Sequence, residues 1–425
     1  MPVIILAMSE NKSPDSLSDS LPDSLPNSLP NSLPNSLSDS FPEKSGKPVE
    51  IYHMPGLTVF SDIVSGKIRL SSKGILKPVA VPVLKMMNGR FKEEKPALVT
   101  DSCIYPSAWL PPVPGPVFTR LMKAEIRCAS GHFVPETVSF EVTRKHNPNC
   151  APGPEPDADM IRHGIDQALE EGAVVITFTE GDPLLSTDIV DLVSYVDKSK
   201  AVVMCYTWGL DISPEKMKQL KEAGLQTLLV SLYSTDPSVH DRKRGIPGAF
   251  EKAVSAIRAG LDAGLLVTVA THVDKDKVPE LAGLYEFAAG LGVHEFSVWE
   301  SIPGPDGQAR MDDDGRRTIL EFYRRTNADP DPSRPRIFSN TFFEGEMFGC
   351  MAGRRWAHID VDGNVHPDPY IPLTYGNITK EDLSVCLRRM QKEKIFRTKR
   401  KEHPNADPEY AARIRDFLKD NGRTE

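Results

Sequence analysis

Six cysteines and ten histidines carry most of the metal-binding and nucleophilic capacity of this chain, so their spacing sets what chemistry is open to it. The cysteines stand at positions 103, 128, 150, 205, 350 and 386, far apart and without a single Cys-x-x-Cys pair. A disulfide framework does not suit so long a chain with such spacing. His146, Cys150, Cys205 and His272 have the donor types for a rebuilt metal site, yet donor types alone do not bring four residues together. His272 and Glu300 fall at the ends of predicted strands, where a substrate contact could sit. At such places a histidine or thiol is more often a satisfied or buried group. No Ser-His-Asp set, phosphate-binding loop or HExxH segment supports a hydrolase or transferase assignment.

These residues need a scaffold, and the sequence supplies a regular one from Thr137 onward. Short β-branched runs alternate with helical segments, as βα units require. The predicted strands cover 137–142, 173–178, 201–206, 227–232, 266–271 and 294–299, with helices near 158–171, 187–197, 214–223, 248–263 and 278–291. Gly172, Gly224, Gly264 and Gly292 follow helices, where a left-handed residue is wanted. Ser186 and Ser213 precede helices as N-caps, and Pro214 fills a first helical position. Six such strands, buried on both faces, predict an α/β fold: a partial (β/α)6 barrel of parallel strands. Ligands in such folds sit at the C-terminal strand ends. That places the loops after Val142, Phe178, Tyr206, Leu232, Thr271 and Trp299 around one site.

The rest of the chain divides around this core. Residues 1–48 contain a near-tetrapeptide Asn-Ser-Leu-Pro repeat. A proline every fourth residue forbids a helical ladder and one leucine per repeat buries too little, so this is expected to be a disordered low-complexity tail. Residues 49–136 form an N-terminal extension of no evident role, with helices expected near 57–63 and 117–129. Residues 301–349 read as a connector. From Cys350 the stretch RWAHIDV, Asp-Gly-Asn, VHPDPY predicts a β-hairpin within 350–390, and 391–425 is a charged helical tail. Lys+Arg 51 against Asp+Glu 59 leaves −8, which argues against a nucleic-acid partner gripped through a basic face. No apolar run approaches the roughly 20 residues of a transmembrane helix. MPVIILAM lacks the basic start of a signal peptide, so a cytoplasmic location is expected.

The loops resemble a known superfamily. FEVTRKHNPNCAPG after the first strand resembles the cluster loop of radical S-adenosylmethionine enzymes, and TFTEGDPLL after the second resembles their Gly-Gly-Glu-Pro segment. LKEAGLQTLLVSLYSTDPSVHDRKRGIPGAF is similar to their fourth strand with its succeeding loop and helix. CMAGRRWAHIDVDGNVHPDPYIPLTYGNI resembles the C-terminal SPASM or twitch extension, which carries auxiliary clusters in many members. The resemblance implies a [4Fe–4S] cluster held by Cys-x3-Cys-x2-Cys, whose open iron chelates S-adenosylmethionine. It implies an ammonium contact at Glu180-Gly181-Asp182-Pro183, and ribose and carboxylate contacts at Ser231 and at Arg242 or Arg244.

The departures from the family pattern change the expectation. The three cluster positions are His146, Cys150 and Gly153; imidazole can replace thiolate at some irons, but glycine offers no ligand. Glu180 replaces a glycine, and Asp182 is one methylene shorter than the usual glutamate. Cys350 matches the opening auxiliary-cluster cysteine, while Pro367-Asp368-Pro369 replaces Pro-Cys-Pro. Cys386 reads as a buried thiol. Together these features predict a degenerate, cluster-free protein that binds S-adenosylmethionine, another small ligand, or a partner subunit such as an active paralogue. Two alternatives stand beside it. One is an active enzyme holding an atypical [4Fe–4S] cluster and generating a 5′-deoxyadenosyl radical. The other is a cluster-free enzyme reusing the pocket.

Overall fold

The computed structural model describes residues 48–421, apart from 65–66, 92–93, 101, 130–132, 147–153, 303–310 and 330. The tail expected over 1–48 therefore lies almost wholly outside the described residues. So do Cys150 and Gly153.

The chain opens with an antiparallel sheet of β1 (Val49–Met54), β2 (Leu57–Val64) and β3 (Lys67–Lys73). The helix expected near 57–63 is thus a strand. Thr58 and Val59 are β-branched, and β3 beside it buries every second residue, the period of a half-covered sheet rather than of a helix. Helix Lys77–Phe91 packs against β3. The short β4 (Leu98–Val99) and β5 (Ile104–Tyr105) form a two-stranded ladder, and helix Pro116–Ala129 appears where the sequence predicts it.

The core is one nine-stranded sheet. β6 (Thr137–Phe140), β7 (Val175–Phe178), β8 (Val202–Thr207), β9 (Thr227–Ser231), β10 (Leu266–Val273) and β11 (Glu295–Glu300) are the six predicted strands, side by side and parallel. β12 (Arg336–Ser339) adds a seventh from the segment read as a connector. β13 (Trp356–Ile359) then returns to pair in parallel with β6, with β14 (Val365–His366) antiparallel beside it as the predicted hairpin. The sheet is curled but not closed: β12 and β14 are its two edges, while Trp299 of β11 and Trp356 of β13 come within 6.5 Å of each other across the interior.

Local signals fix these units. Helix Ala158–Glu171 begins where Asp157 accepts from the Asp159 N–H and stops at Gly172, whose φ is +111°. A Cβ there would meet Val134 Cγ1 at 2.8 Å, so only glycine ends this helix without strain. Ser213 caps its helix as expected, but Ser186 does not: Asp188 precedes helix Ile189–Tyr195. Strand alternation sends Val203, Cys205, Leu228, Val230, Val267 and Val269 outward into the main core. Met204, Leu229, Ala270 and Trp299 belong to the clusters on the other face.

The N-terminal extension fills that inner face from below. Ala108 N–H donates to Glu295 Oε2 at 3.2 Å, and Thr227 Oγ1 donates to Ala108 O at 3.2 Å. Glu295 and Thr227 are the first residues of their strands, so this loop lies at the N-terminal end of the sheet. Trp109 projects inward from it, with its ring 5.1 Å from Trp299, 5.3 Å from Phe338 and 6.0 Å from Tyr206. Nearby, buried Arg336 pairs with Glu295 at 2.9 Å and with Glu94 of the extension at 2.6 Å. Such a triad strongly disfavours removal of any one member.

Candidate functional site

The loops at the C-terminal strand ends come together, and each brings a different group to the mouth. Asp182 is fully buried. Its Oδ1 accepts from Thr207 Oγ1 at 2.8 Å and from Leu184 N at 3.2 Å; Oδ2 accepts from Trp208 N at 3.1 Å, and the Leu210 N–H also donates to the carboxylate. Four donors fill the capacity of a carboxylate. The carboxylate thereby ties the loop after β7 to the loop after β8. Pro183 starts the 3-10 turn that Asp182 caps. Gly181, with φ +57°, touches the loop after β6; a Cβ would meet Thr143 O at 2.5 Å and Lys145 O at 2.9 Å. Its lack of a side chain lets these two loops touch.

Glu180 differs from all of these. It is the one non-glycine residue with positive φ among the described residues, at +63°, a conformation costing roughly 1–2 kcal/mol. Burial pushes its carboxyl up to about 7, with Glu141 and Asp368 adding repulsion. It has no hydrogen-bond partner among the described residues.

A cationic stack lies on the other side of the mouth. Helix Pro237–Arg244 starts at the Asp236 cap and ends at Gly245. Asp241 accepts from Gly248 N and Phe250 N, which sets the following turn. Arg244, half-buried, lies between two rings, 4.0 Å from the Trp208 centroid and 4.5 Å from that of Tyr233. Its Nε and Nη2 are buried without an acceptor among the described residues. Burial lowers its affinity for its proton, although a guanidinium stays charged. His240 accepts from Tyr233 N at 3.2 Å and stacks on that ring, and burial holds it near 4, in the neutral form. His146 faces Trp208 at 6.0 Å. Ser231 is buried on the inner face, with its hydroxyl unbonded among the described residues. Of the two candidate arginines, Arg244 belongs to the mouth; Arg242 is exposed.

A second polar cluster borders the hairpin. Cys350 is buried, its thiol pushed far up by burial and by the Glu344 carboxyl with which it shares a hydrogen bond. Glu344 also accepts from Met351 N at 2.9 Å. Asp368 accepts from His403 Nε2 at 2.6 Å and from Tyr370 N at 2.9 Å. Beside these groups opens a cavity of about 670 Å³, walled by Trp299, Trp356 and Tyr370 and, among others, by Arg316 and Glu300, which pair at 2.5 Å. Glu300 is thus brought to a cavity, as its strand-end position suggests, but its charge is already matched.

Of the residues considered for a rebuilt metal site, Cys150 lies outside the described residues, and Cys205 and His272 do not face each other. Cys205 points outward into the helix-covered core, whereas His272 faces the rings of Tyr233 and Tyr370. Among the described residues no group of three or more His, Cys, Asp or Glu side chains is placed to hold a metal ion. Sequence reasoning missed Trp208, Tyr233 and Tyr370. Tyr233 directly follows a predicted strand and Trp208 lies two residues beyond one, so the strand-end rule itself was the signal. Tyr370 had none, because its place depends on where the hairpin docks. No helix among the described residues is long and apolar enough to cross a membrane.

Comparison with known proteins agrees with this architecture. Residues 129–287 match the family model of the Radical SAM superfamily. The AdoMet-dependent heme synthase of Methanosarcina barkeri is 26% identical over 280 residues, spanning 58% of this chain and 80% of that protein. The AdoMet-dependent heme synthase of Nitratidesulfovibrio vulgaris is 26% identical over 301 residues, 61% of this chain and 81% of its own. Among solved structures, SuiB of Streptococcus suis superposes with a TM-score of 0.50 at 13% identity, covering 79% of this chain and 86% of SuiB; so low an identity speaks to the fold alone. Over residues 129–287 the chain is thus similar to the Radical SAM superfamily.

Proposed function

We propose that this protein is a radical SAM superfamily member that binds S-adenosylmethionine and releases it intact. The observation that carries the proposal is Arg244: a guanidinium held between Trp208 and Tyr233 with two N–H groups lacking acceptors among the described residues. A buried donor without a partner costs about 1–3 kcal/mol, which a ligand carboxylate at this mouth would recover through a charge-assisted bond. The inward Ser231 hydroxyl adds a neutral contact beside it.

The donor sets argue against a cluster. A [4Fe–4S] centre would supply the electron that cleaves S-adenosylmethionine, and it takes three protein thiolates in this family. His146, Cys150 and Gly153 offer one. At the hairpin, Cys350 stands alone and protonated, and Asp368 is engaged by His403 and the Tyr370 N–H. The haem-forming activity named for the relatives therefore does not transfer with the ligand. An output through a partner subunit, such as an active paralogue, is the consequence of binding without turnover.

The test is calorimetry with S-adenosylmethionine on anaerobically purified chain. The expected dissociation constant is on the order of 100 μM to 1 mM, and Arg244→Met should weaken it about tenfold or more. Four irons per chain together with 5′-deoxyadenosine on reduction would overturn the reading, and haem formation would then become the activity to assay.

A further inference from the structure

Positive charge is unevenly spread along this acidic chain. From Arg388 to Glu402, eight of fifteen residues are basic and two are acidic, a local charge of +6 on a chain of net charge −8. Arg389, Arg400 and Lys401 have acid partners in Glu381, Asp407 and Glu346. Arg388, Lys392, Lys394 and Arg397 are exposed, and none of the four forms an ion pair among the described residues. Leu383, Cys386, Leu387 and Met390 bury one face of helix Leu383–Gln391, and Phe396 anchors the turn Lys394–Arg397, so the four cations are left to solvent. Like charges this close repel one another and are relieved by an anion. The strip ends at the 670 Å³ cavity, whose wall includes Arg400 and Lys401.

A complement to this strip lies in the same chain. Between Ser13 and Glu43 there are five acids and no base. The four-residue repeat places Asp at 15, 19 and 23 but Asn at the equivalent positions 27, 31 and 35. An acidic block is thus set apart from the fold by a neutral spacer made of the same unit. The 24 residues from 24 to 47 reach roughly 25–30 Å as a coil, and further where prolines extend them. They join the fold on the side that carries the strip. Ile51 O accepts from Thr119 Oγ1 at 3.1 Å, Arg120 donates to Leu169 O and Ala173 O, and Gln167, on the helix that holds Leu169, accepts from Leu383 N at 2.5 Å. We propose that residues 15–23 dock on the Arg388–Lys401 strip of their own chain. The tether supplies the block at an effective concentration on the order of millimolar, which offsets the small gain of each exposed ion pair. A nucleic-acid strand lacks that tether and meets −14 on the rest of the chain, the difference between −8 and +6. The contact is independent of the S-adenosylmethionine reading.

The test is zero-length carbodiimide cross-linking of the full chain at low salt, read by mass spectrometry. Asp15, Asp19 and Asp23 should become amide-linked to Lys392, Lys394, Lys399 and Lys401. These links should fall about fivefold or more in molar salt, where the screening length is about 3 Å. The internal pair Lys216–Asp211, at 2.7 Å, should still couple there. Arg388→Gln combined with Arg397→Gln removes no cross-linking group, yet it should lower the same links about threefold or more. Links spread over exposed lysines such as Lys218, or links indifferent to salt and to the arginine variant, would overturn the docking. So would the absence of any link from the block to the fold while Lys216–Asp211 couples. In a mixture of nitrogen-15-labelled and unlabelled chains, links that join a labelled block to an unlabelled strip would assign the occupant to a second copy. Displacement by an equimolar single-stranded oligonucleotide would assign it to nucleic acid, and either result would refute the intrachain contact.

Discussion

Glu180 should make this fold less stable as the solution becomes more basic, and replacing it with glutamine should remove that dependence. The folded carboxyl titrates at about 7 against an ordinary 4.5. A group whose folded value is raised contributes its full share of stability below the unfolded value and loses it as pH rises through the folded one. The gap of 2.5 pH units, at roughly 1.4 kcal/mol each, comes to about 3.5 kcal/mol of destabilisation well above pH 7. Glu180→Gln keeps size and backbone but cannot ionise. Urea midpoints of the two proteins should therefore nearly coincide at pH 5 and diverge up to pH 8.5, with the variant the more stable by about 3 kcal/mol. Taking the difference between variant and parent cancels the common titration of other carboxylates. A difference that stays flat within roughly 0.5 kcal/mol across this range would show that Glu180 is either solvated or matched by a cation, and the electrostatic account of the mouth would fail. Glu180→Gly should add a pH-independent gain of about 1 kcal/mol from the relaxed backbone.

Other expectations concern positioning and packing. Asp182→Ala orphans Thr207 Oγ1 and three backbone N–H groups; at about 1–3 kcal/mol for each group left unsatisfied, melting should fall steeply and S-adenosylmethionine binding should go with it, whereas Asp182→Asn should retain part of both. Trp109→Ala removes the wedge between Trp299, Phe338 and Tyr206 and should cost about 3–5 kcal/mol, read as a drop in Tm of roughly 10 °C; a change under about 2 °C would mean that the extension does not support the sheet. Converting both His146 and Gly153 to cysteine restores three thiols to the loop, and iron uptake on anaerobic reconstitution should rise from near zero to stoichiometric. Continued absence of iron would point to the prolines of the loop rather than its missing thiols.

The repeating unit of the sheet was legible because it is written locally. The β-branched runs of β7 to β11, and a glycine such as Gly172 at a helix end, need only their neighbours in sequence to be recognised. What escaped was written in tertiary contact. Leu57–Val64 is short enough that its apolar residues satisfy a helical period by chance, and only the ladder with β3 shows it to be a strand. β12 lies in the segment read as a connector, and β13, though expected as a hairpin strand, gives no local sign that it pairs with β6. In the candidate site, the motif names residues but not the bonds that each makes. Asp182 fits a ligand contact by type, and only its four donors reveal a structural tie. Cys205 and His272 have compatible chemistry, but successive strand residues face opposite ways, a fact that depends on which residue of each strand happens to point inward. Glu180 is visible in the sequence as a departure from glycine; its strain and its isolation from positive charge belong to three dimensions.

The pairing of β6 with β13 has a bearing on how the chain is made. Ser139 and His358, neighbours in this ladder, are 219 residues apart. At a synthesis rate of roughly 5–20 residues per second, β6 leaves the ribosome some 10–45 seconds before its outer neighbour exists. Through that interval β7 can cover one edge of β6 while the other, with its row of unpaired amides, stays open to any strand that meets it. The final hairpin is thus the clasp of the nascent barrel, and a chain cut short before Trp356 should emerge with its first barrel strand exposed, a substrate for chaperones rather than a smaller version of the folded protein.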